Sequence, residues 1–135
     1  MLDIHCDGAY KDGIGAYAYA IYYQDNKLAE GAGIVPHTHY NSNNLAELTA
    51  IIEAITAIPL EYTATVYTDS IYCTNGIKNI NKVLKGRYPE AWVRLYTLLQ
   101  CGRYQVKWLR DSNKHPRHRD VDSFAKSTLA YVLTK

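Results

Sequence analysis

The chain has 135 residues, of which 47% are hydrophobic and 21% charged, with 8 Gly, 4 Pro and a formal net charge of +2. That length predicts a single domain spanning residues 1–135, and the composition excludes collagenous, low-complexity and disordered chains. No apolar run reaches the roughly 20 residues of a membrane span, and the opening Met1-Leu2-Asp3-Ile4-His5-Cys6-Asp7 lacks the basic and apolar segments of a secretory leader, so a soluble, cytoplasmic protein is expected. Cys6, Cys73 and Cys101 are odd in number, far apart and without a CxxC pair, which predicts buried free thiols instead of disulfides or a cysteine zinc site.

In chain order, Leu2, Ile4 and Cys6 alternate with polar residues as in a half-buried strand, which Asp7-Gly8 is expected to end. Ala16 to Tyr23 and Lys27 to Val35, joined through Gln24-Asp25-Asn26, read as a hairpin, so the first three strands form an antiparallel meander. Asn43-Asn44 is a capping signal for a helix running to about Ala57, in which Leu45, Leu48, Ile52 and Ile55 recur at helical spacing before Pro59. Thr63 to Tyr67 is a β-branched and aromatic fourth strand, and Ser70 is a candidate N-cap for a helix towards Lys82. A further helix spans about Pro89 to Cys101, a fifth strand Tyr104 to Leu109, then a polar loop Arg110 to Arg119 and a last helix from about Asp120 to Leu133. The order βββαβααβα implies an α/β fold, a five-stranded mixed sheet flanked by helices.

Charge is unevenly placed. Lys78 to Arg87 holds four basic residues and no acid, and Arg103 to Arg119 holds six, with His115 and His118, against Asp111 alone. Such runs are usually solvated faces, yet two of them on a near-neutral chain are also candidates for a phosphate-tracking surface. The 13 tyrosines fit half-buried strands better than base stacking.

Four acids stand out by position. Glu47 heads the stripe Ile51, Ala54, Ile58 on the first helix, and Asp122 heads Ala125, Leu129, Leu133 on the last; Asp120 reads as a cap or first-turn acid. Asp7 and Asp69 fall at strand ends, where sites of parallel and mixed sheets gather. Taken singly, each has a plain reading as a turn, a cap or a paired surface charge. Together in one pocket they repel by about 4 kcal/mol per pair at 4 Å and an effective dielectric of 20. A basic side chain is one way to neutralise them; Mg²⁺ or Mn²⁺, which select all-oxygen donors, is another, and two such ions serve in-line phosphoryl displacement.

At these residues the sequence resembles type 1 ribonuclease H. Asp7-Gly8-Ala9, the run Asn43 to Leu48, TDSIYCTNGI from Thr68 to Ile77 and HPRHRDVDSFA from His115 to Ala125 match that family's blocks in order and spacing. The resemblance implies the ribonuclease H fold and an endonuclease that cuts RNA paired to DNA with two Mg²⁺ or Mn²⁺ ions held by Asp7, Glu47, Asp69 and Asp122. It also implies contacts from Gly8, Asn43 and Asn44 to the RNA strand and from Ser42 near a DNA phosphate. An RNA/DNA hybrid is then the partner, with no membrane, no obligate protein partner and a monomeric state expected.

The chain departs from the family at three places. Ser112 stands where many members carry a mobile histidine, which leaves His115 or His118 as the candidate for its product-release role, or that role absent; a solvated loop is the plain reading of both. The loop from Tyr10 to Gly15 is short, and Ile71 occupies a position that is often polar. The basic protrusion of bacterial members is reduced to Lys85-Gly86-Arg87-Tyr88-Pro89, which implies weak hybrid affinity. Two other functions remain as alternatives: a nuclease of the same fold acting on another substrate, and a catalytically weak hybrid- or RNA-binding module.

Overall fold

Alternation along the first two strands builds the middle of a five-stranded sheet. In the computed structural model, which describes residues 1–36 and 41–135, β1 (Leu2–Lys11) pairs antiparallel with β2 (Ile14–Tyr23), and β2 with β3 (Asn26–Ile34). On its other side β1 pairs in parallel with β4 (Ala64–Thr68), which pairs in parallel with β5 (Tyr104–Trp108), giving the order β3-β2-β1-β4-β5. The first strand does not stop at Asp7-Gly8 but continues to Lys11. It turns through Asp12 and Gly13, both at positive φ (53° and 81°), where an Asp-Gly pair suits the twist of a tight hairpin.

Each face of the sheet carries its own core. Leu2, Ile4, Cys6 and Ile21 pack under α1 (Asn43–Thr56), whose Leu48, Ile51 and Ile55 are fully buried, and under Trp92 and Leu95 of α4 (Pro89–Leu99). Ala9, Ala16, Ala18, Ala20 and Tyr22 meet Val121, Ala125 and Leu129 of α5 (Pro116–Leu133) on the opposite face. The small alanines let α5 lie close to the strands. The period of two along β1 thus sends His5, Asp7 and Ala9 towards α5 and the even-numbered residues towards α1.

Three further boundaries differ from the sequence reading. Ser42, not Asn43 or Asn44, caps α1, its hydroxyl accepting from the Leu45 amide at 3.2 Å. The helix expected from Ser70 to Lys82 is two helices, α2 (Ile71–Ile77) and α3 (Ile80–Leu84), broken at Lys78-Asn79. Asn79 leaves the helical region (φ −145°, ψ 64°), and α3 has no buried residue to hold a continuous helix against that preference. The last helix begins at Pro116, in the first-turn position that suits a residue without an N–H, so Arg117 to Arg119 are helical and not loop. Asp120 is therefore in the second turn and not a cap. Among the cysteines, Cys6 and Cys73 are buried free thiols, but Cys101 is exposed at the end of α4.

Candidate active site

Parallel pairing of β1 with β4 ends at His5 opposite Tyr67, so Asp7 lies just past the paired region and Asp69 just past the end of β4. The N-terminal halves of α1 and α5 close over that point from the two faces. Gly8 faces α1, and a β-carbon there would stand 2.5 Å from the Glu47 nitrogen. Its absence lets the helix backbone come down on the strand. In that contact the Gly8 amide donates to Glu47 Oε1 and lies 3.0 Å from Asp7 Oδ1. The glycine's amide is thus committed within the protein.

Asp69 is held from two sides. Its carbonyl accepts from Trp108 Nε1 at 3.2 Å, and its Oδ2 accepts from Ser112 Oγ at 3.1 Å. From α5, His118 reaches both carboxylates, with Nε2 3.7 Å from Asp7 Oδ2 and 3.6 Å from Asp69 Oδ2. Asp122, one turn further along the same face, is half-buried and pairs with Lys126 Nζ at 3.0 Å. All four acids line one open cleft of about 610 Å³, together with Gly8, Asn43, Asn44 and Lys126.

Burial dominates the electrostatics. It pushes the Glu47 carboxyl far above the usual carboxylate range, the neighbouring Asp7 adding to the shift, and it raises Asp7 as well, with Asp69 contributing. Asp69 moves the other way, well below the usual range, because the His118 imidazole that faces it favours its charged form. Among the described residues no lysine or arginine pairs with Asp7, Glu47 or Asp69. The cleft floor is acidic and uncompensated by a permanent cation.

Asn43 and Asn44 are exposed at the cleft rim, released from capping by Ser42. The Ser42 hydroxyl also lies 2.7 Å from the Tyr88 hydroxyl, in a second depression lined by Asn44, Tyr72, Lys82 and Arg87. Of the basic runs, Lys82 and Arg87 therefore line a concave surface. Arg103 and Arg117 do not serve it: Arg103 donates to the Leu60 carbonyl, and Arg117 lies 4.1 Å over the Tyr22 ring.

The two histidines separate. His115 is exposed and precedes α5, whereas His118, read from sequence as a loop residue and a candidate for the product-release role, is 1% exposed in the heart of the cluster. A signal for it exists in the sequence. Once Pro116 is taken as the first helical residue, His118 falls four before Asp122 and seven before Ala125, on the core-facing stripe.

Sheet order and flanking helices place the chain among ribonuclease H-like folds. The RNase H1 named LC11, isolated from compost by a metagenomic approach, superposes with a TM-score of 0.78 at 16% identity, covering 98% of this chain and 97% of that one. LC11-RNase H1 in complex with an RNA/DNA hybrid superposes at 0.72 with 17% identity, over 90% and 93% of the two chains. The RNase H family model matches residues 1–129. A ribonuclease H of Dichelobacter nodosus is 32% identical over 100% of this chain and 96% of its own, and one of Cupriavidus necator 31% identical over 90% of each. The chain belongs to the ribonuclease H family, whose members are phosphodiester-hydrolysing endonucleases. No helix among the described residues is long and apolar enough to cross a membrane.

Proposed function

We propose that this protein is a divalent-metal-dependent endoribonuclease of the cytoplasm that hydrolyses the RNA strand of RNA/DNA hybrids, acting as a monomeric, single-domain enzyme. The observation that carries the reading is the convergence of Asp7, Glu47, Asp69 and Asp122 on one cleft whose buried end has no lysine or arginine partner among the described residues. Family membership and the hybrid bound by LC11-RNase H1 support the choice of substrate.

The donor set fits divalent cations. Four carboxylates at one cleft are hard oxygen ligands, two of them are held above their usual pKa by burial, and the buried His118 Nε2 that faces them has no hydrogen-bond partner among the described residues. Asp7, Glu47, Asp69 and Asp122 would hold two Mg²⁺ ions, or Mn²⁺. Bound there, the pair would supply electrostatic stabilisation of the attacking and leaving oxygens in an in-line displacement.

The chain's own residues do the rest. Asn43 and Asn44 offer amide donors and acceptors to the RNA strand at the rim. Gly8 fixes the distance between β1 and α1, and so the place of Glu47 beside Asp7. Ser42, Lys82 and Arg87 surround a depression suited to a phosphate of the paired DNA strand. Ser112 orients Asp69 from the position where many relatives carry a histidine.

Titration of Mg²⁺ into the protein with strand-labelled hybrid, RNA duplex, DNA duplex and single strands tests the reading. Cleavage confined to the RNA of the hybrid and dependent on Mg²⁺ is the expected result. Equal cutting of an RNA or DNA duplex would assign a different substrate, and hybrid binding without cutting would assign a binding module.

A further inference from the structure

His118 Nε2 is the one buried side-chain nitrogen or oxygen among the described residues that makes no hydrogen bond. Its ring is 1% exposed, so water does not satisfy it from the bulk. Leaving a buried polar atom unpaired is costly, and a fold tolerates that cost where the atom has another use. The atom points at Asp7 Oδ2 and Asp69 Oδ2 from 3.7 and 3.6 Å, beyond the range of an N–H···O bond. Those three donors lie within 4.8 Å of one another, close enough to share one cation.

The other side of the ring favours the same use. His118 Nδ1 lies 3.4 Å from His5 Nδ1, and a single proton suffices for that pair. With the proton on His118 Nδ1, its Nε2 presents a lone pair to the two carboxylates. His5 is itself fixed, stacked on Tyr67 at 5.0 Å and edge-on to Tyr22 at 6.2 Å. A metal-bound histidine usually has such an outer partner for its second nitrogen, which sets both tautomer and ring orientation.

We propose that His118 is a nitrogen ligand, with Asp7 and Asp69, of one divalent cation, so that the site has a mixed nitrogen and oxygen donor set and favours Mn²⁺ over Mg²⁺. The proposal rests on the metal-site reading above and changes its chemistry. Carboxylates alone suit Mg²⁺ and Mn²⁺ alike, whereas an imidazole adds affinity for transition-metal ions, which accept nitrogen, over Mg²⁺.

The test is pulsed electron paramagnetic resonance of Mn²⁺ bound to the full chain without substrate, with Mg²⁺ competition for relative affinity. Modulation from a directly bonded ¹⁴N is expected, replaced by ¹⁵N modulation when histidine is ¹⁵N-labelled. It is expected to vanish in His118→Asn, whose preference for Mn²⁺ over Mg²⁺ falls about tenfold. Bound Mn²⁺ without nitrogen modulation in the unsubstituted protein overturns the ligand assignment while leaving the carboxylate site standing. Failure of Mn²⁺ to bind at all overturns both. Nitrogen modulation that persists in folded His118→Asn assigns the ligand to another histidine and overturns the proposal.

Discussion

The Gly8 amide donates to Glu47, joining the middle of β1 to the second turn of α1 at a point where no side chain separates them. This contact sets the spacing of the two buried carboxylates. Gly8→Ala places a methyl 2.5 Å from the Glu47 nitrogen, against helix backbone that cannot swing aside. The expected outcome is a loss of about 1–3 kcal/mol in chemical denaturation, as for other overpacked sites. Cleavage is expected to fall by roughly 10²-fold or more, since a displacement of about 1 Å is that damaging to a reacting geometry. Wild-type turnover in Gly8→Ala would show that the strand–helix spacing is not what places Glu47.

Glu47→Gln is expected to abolish cleavage and yet stabilise the metal-free protein at neutral pH. Burial and Asp7 raise the Glu47 pKa in the folded state above the 4.5 of an ordinary glutamate. The folded protein therefore retains a proton that the unfolded chain releases. Its contribution to stability is complete below the unfolded pKa and declines as pH rises, by up to about 1.4 kcal/mol per unit. Glutamine copies the protonated form at every pH. Thermal melts in chelator should thus show the variant ahead of the wild type at pH 7 to 8, the gap closing towards pH 4. Asp69, lowered by His118, has the opposite slope, but it is present in both proteins and largely cancels in the difference. A variant less stable than wild type at pH 8 would mean that the Glu47 carboxylate holds the fold together.

Asp122→Asn is expected to be severe for activity, while Asp120→Asn should change stability by less than about 0.5 kcal/mol and leave cleavage intact. Asp120 is exposed in the second turn of α5, where the helix dipole has largely faded. Cleavage assays of the two variants decide between them. An essential Asp120 with a dispensable Asp122 would reverse the assignment of the cleft-facing residue on α5.

This pair also shows what the sequence could carry. The stripe from Asp122 through Ala125 and Leu129 is a repeated spacing, and repetition survives an error in the helix start. The start itself depends on Pro116 alone, and a run of Arg, His and Asp after it resembles a polar loop. That misplacement hid the burial of His118 among the carboxylates, though not its candidacy as an auxiliary residue. The order of elements was legible because alternation in β1 and the β-branched and aromatic run of β4 mark strands, whereas the extension of β1 to Lys11 was masked by Asp-Gly, which looks like a turn. Only tertiary contact shows that Gly8 is there for the approach of α1. Ser42 lost the capping role to its asparagine neighbours in the sequence reading because Ser and Asn both cap well, and only geometry separates them.

Affinity for hybrid is expected to depend on salt, through the lysine and arginine that line the depression beside Ser42. Lys82→Ala with Arg87→Ala should weaken binding and flatten the slope of log K against log salt by about 0.9 for each lost phosphate contact, borrowing the duplex DNA value. Strand choice should not change, because phosphate contacts position a duplex without identifying it. Arg117→Ala serves as the control, since that side chain is occupied over Tyr22. Equal salt slopes for the double variant and the control would remove this depression from the binding surface.

Choice of the RNA strand must come from the 2′-hydroxyl, because the phosphates of the two strands are chemically alike. In an A-like duplex that hydroxyl lies in the wide, shallow minor groove and can both donate and accept. Asn44 is placed for it: exposed at the cleft rim, three residues before Glu47, with an amide that offers both kinds of group. Since Ser42 already caps α1, removing the Asn44 side chain takes nothing from the helix end. Asn44→Ala should therefore cut the rate on hybrid by roughly ten- to a hundredfold, the worth of one or two hydrogen bonds, with an unchanged melting temperature. Ser42→Ala is the contrasting variant, expected to lower the melting temperature through a lost cap of about 1 kcal/mol. A single deoxyribose at the scissile step should suppress cutting there by the unsubstituted protein, and Asn44→Ala should discriminate less between the ribose and deoxyribose substrates. If the unsubstituted protein cuts both substrates equally, the enzyme does not read the sugar, and a general nuclease of the same fold becomes the better account.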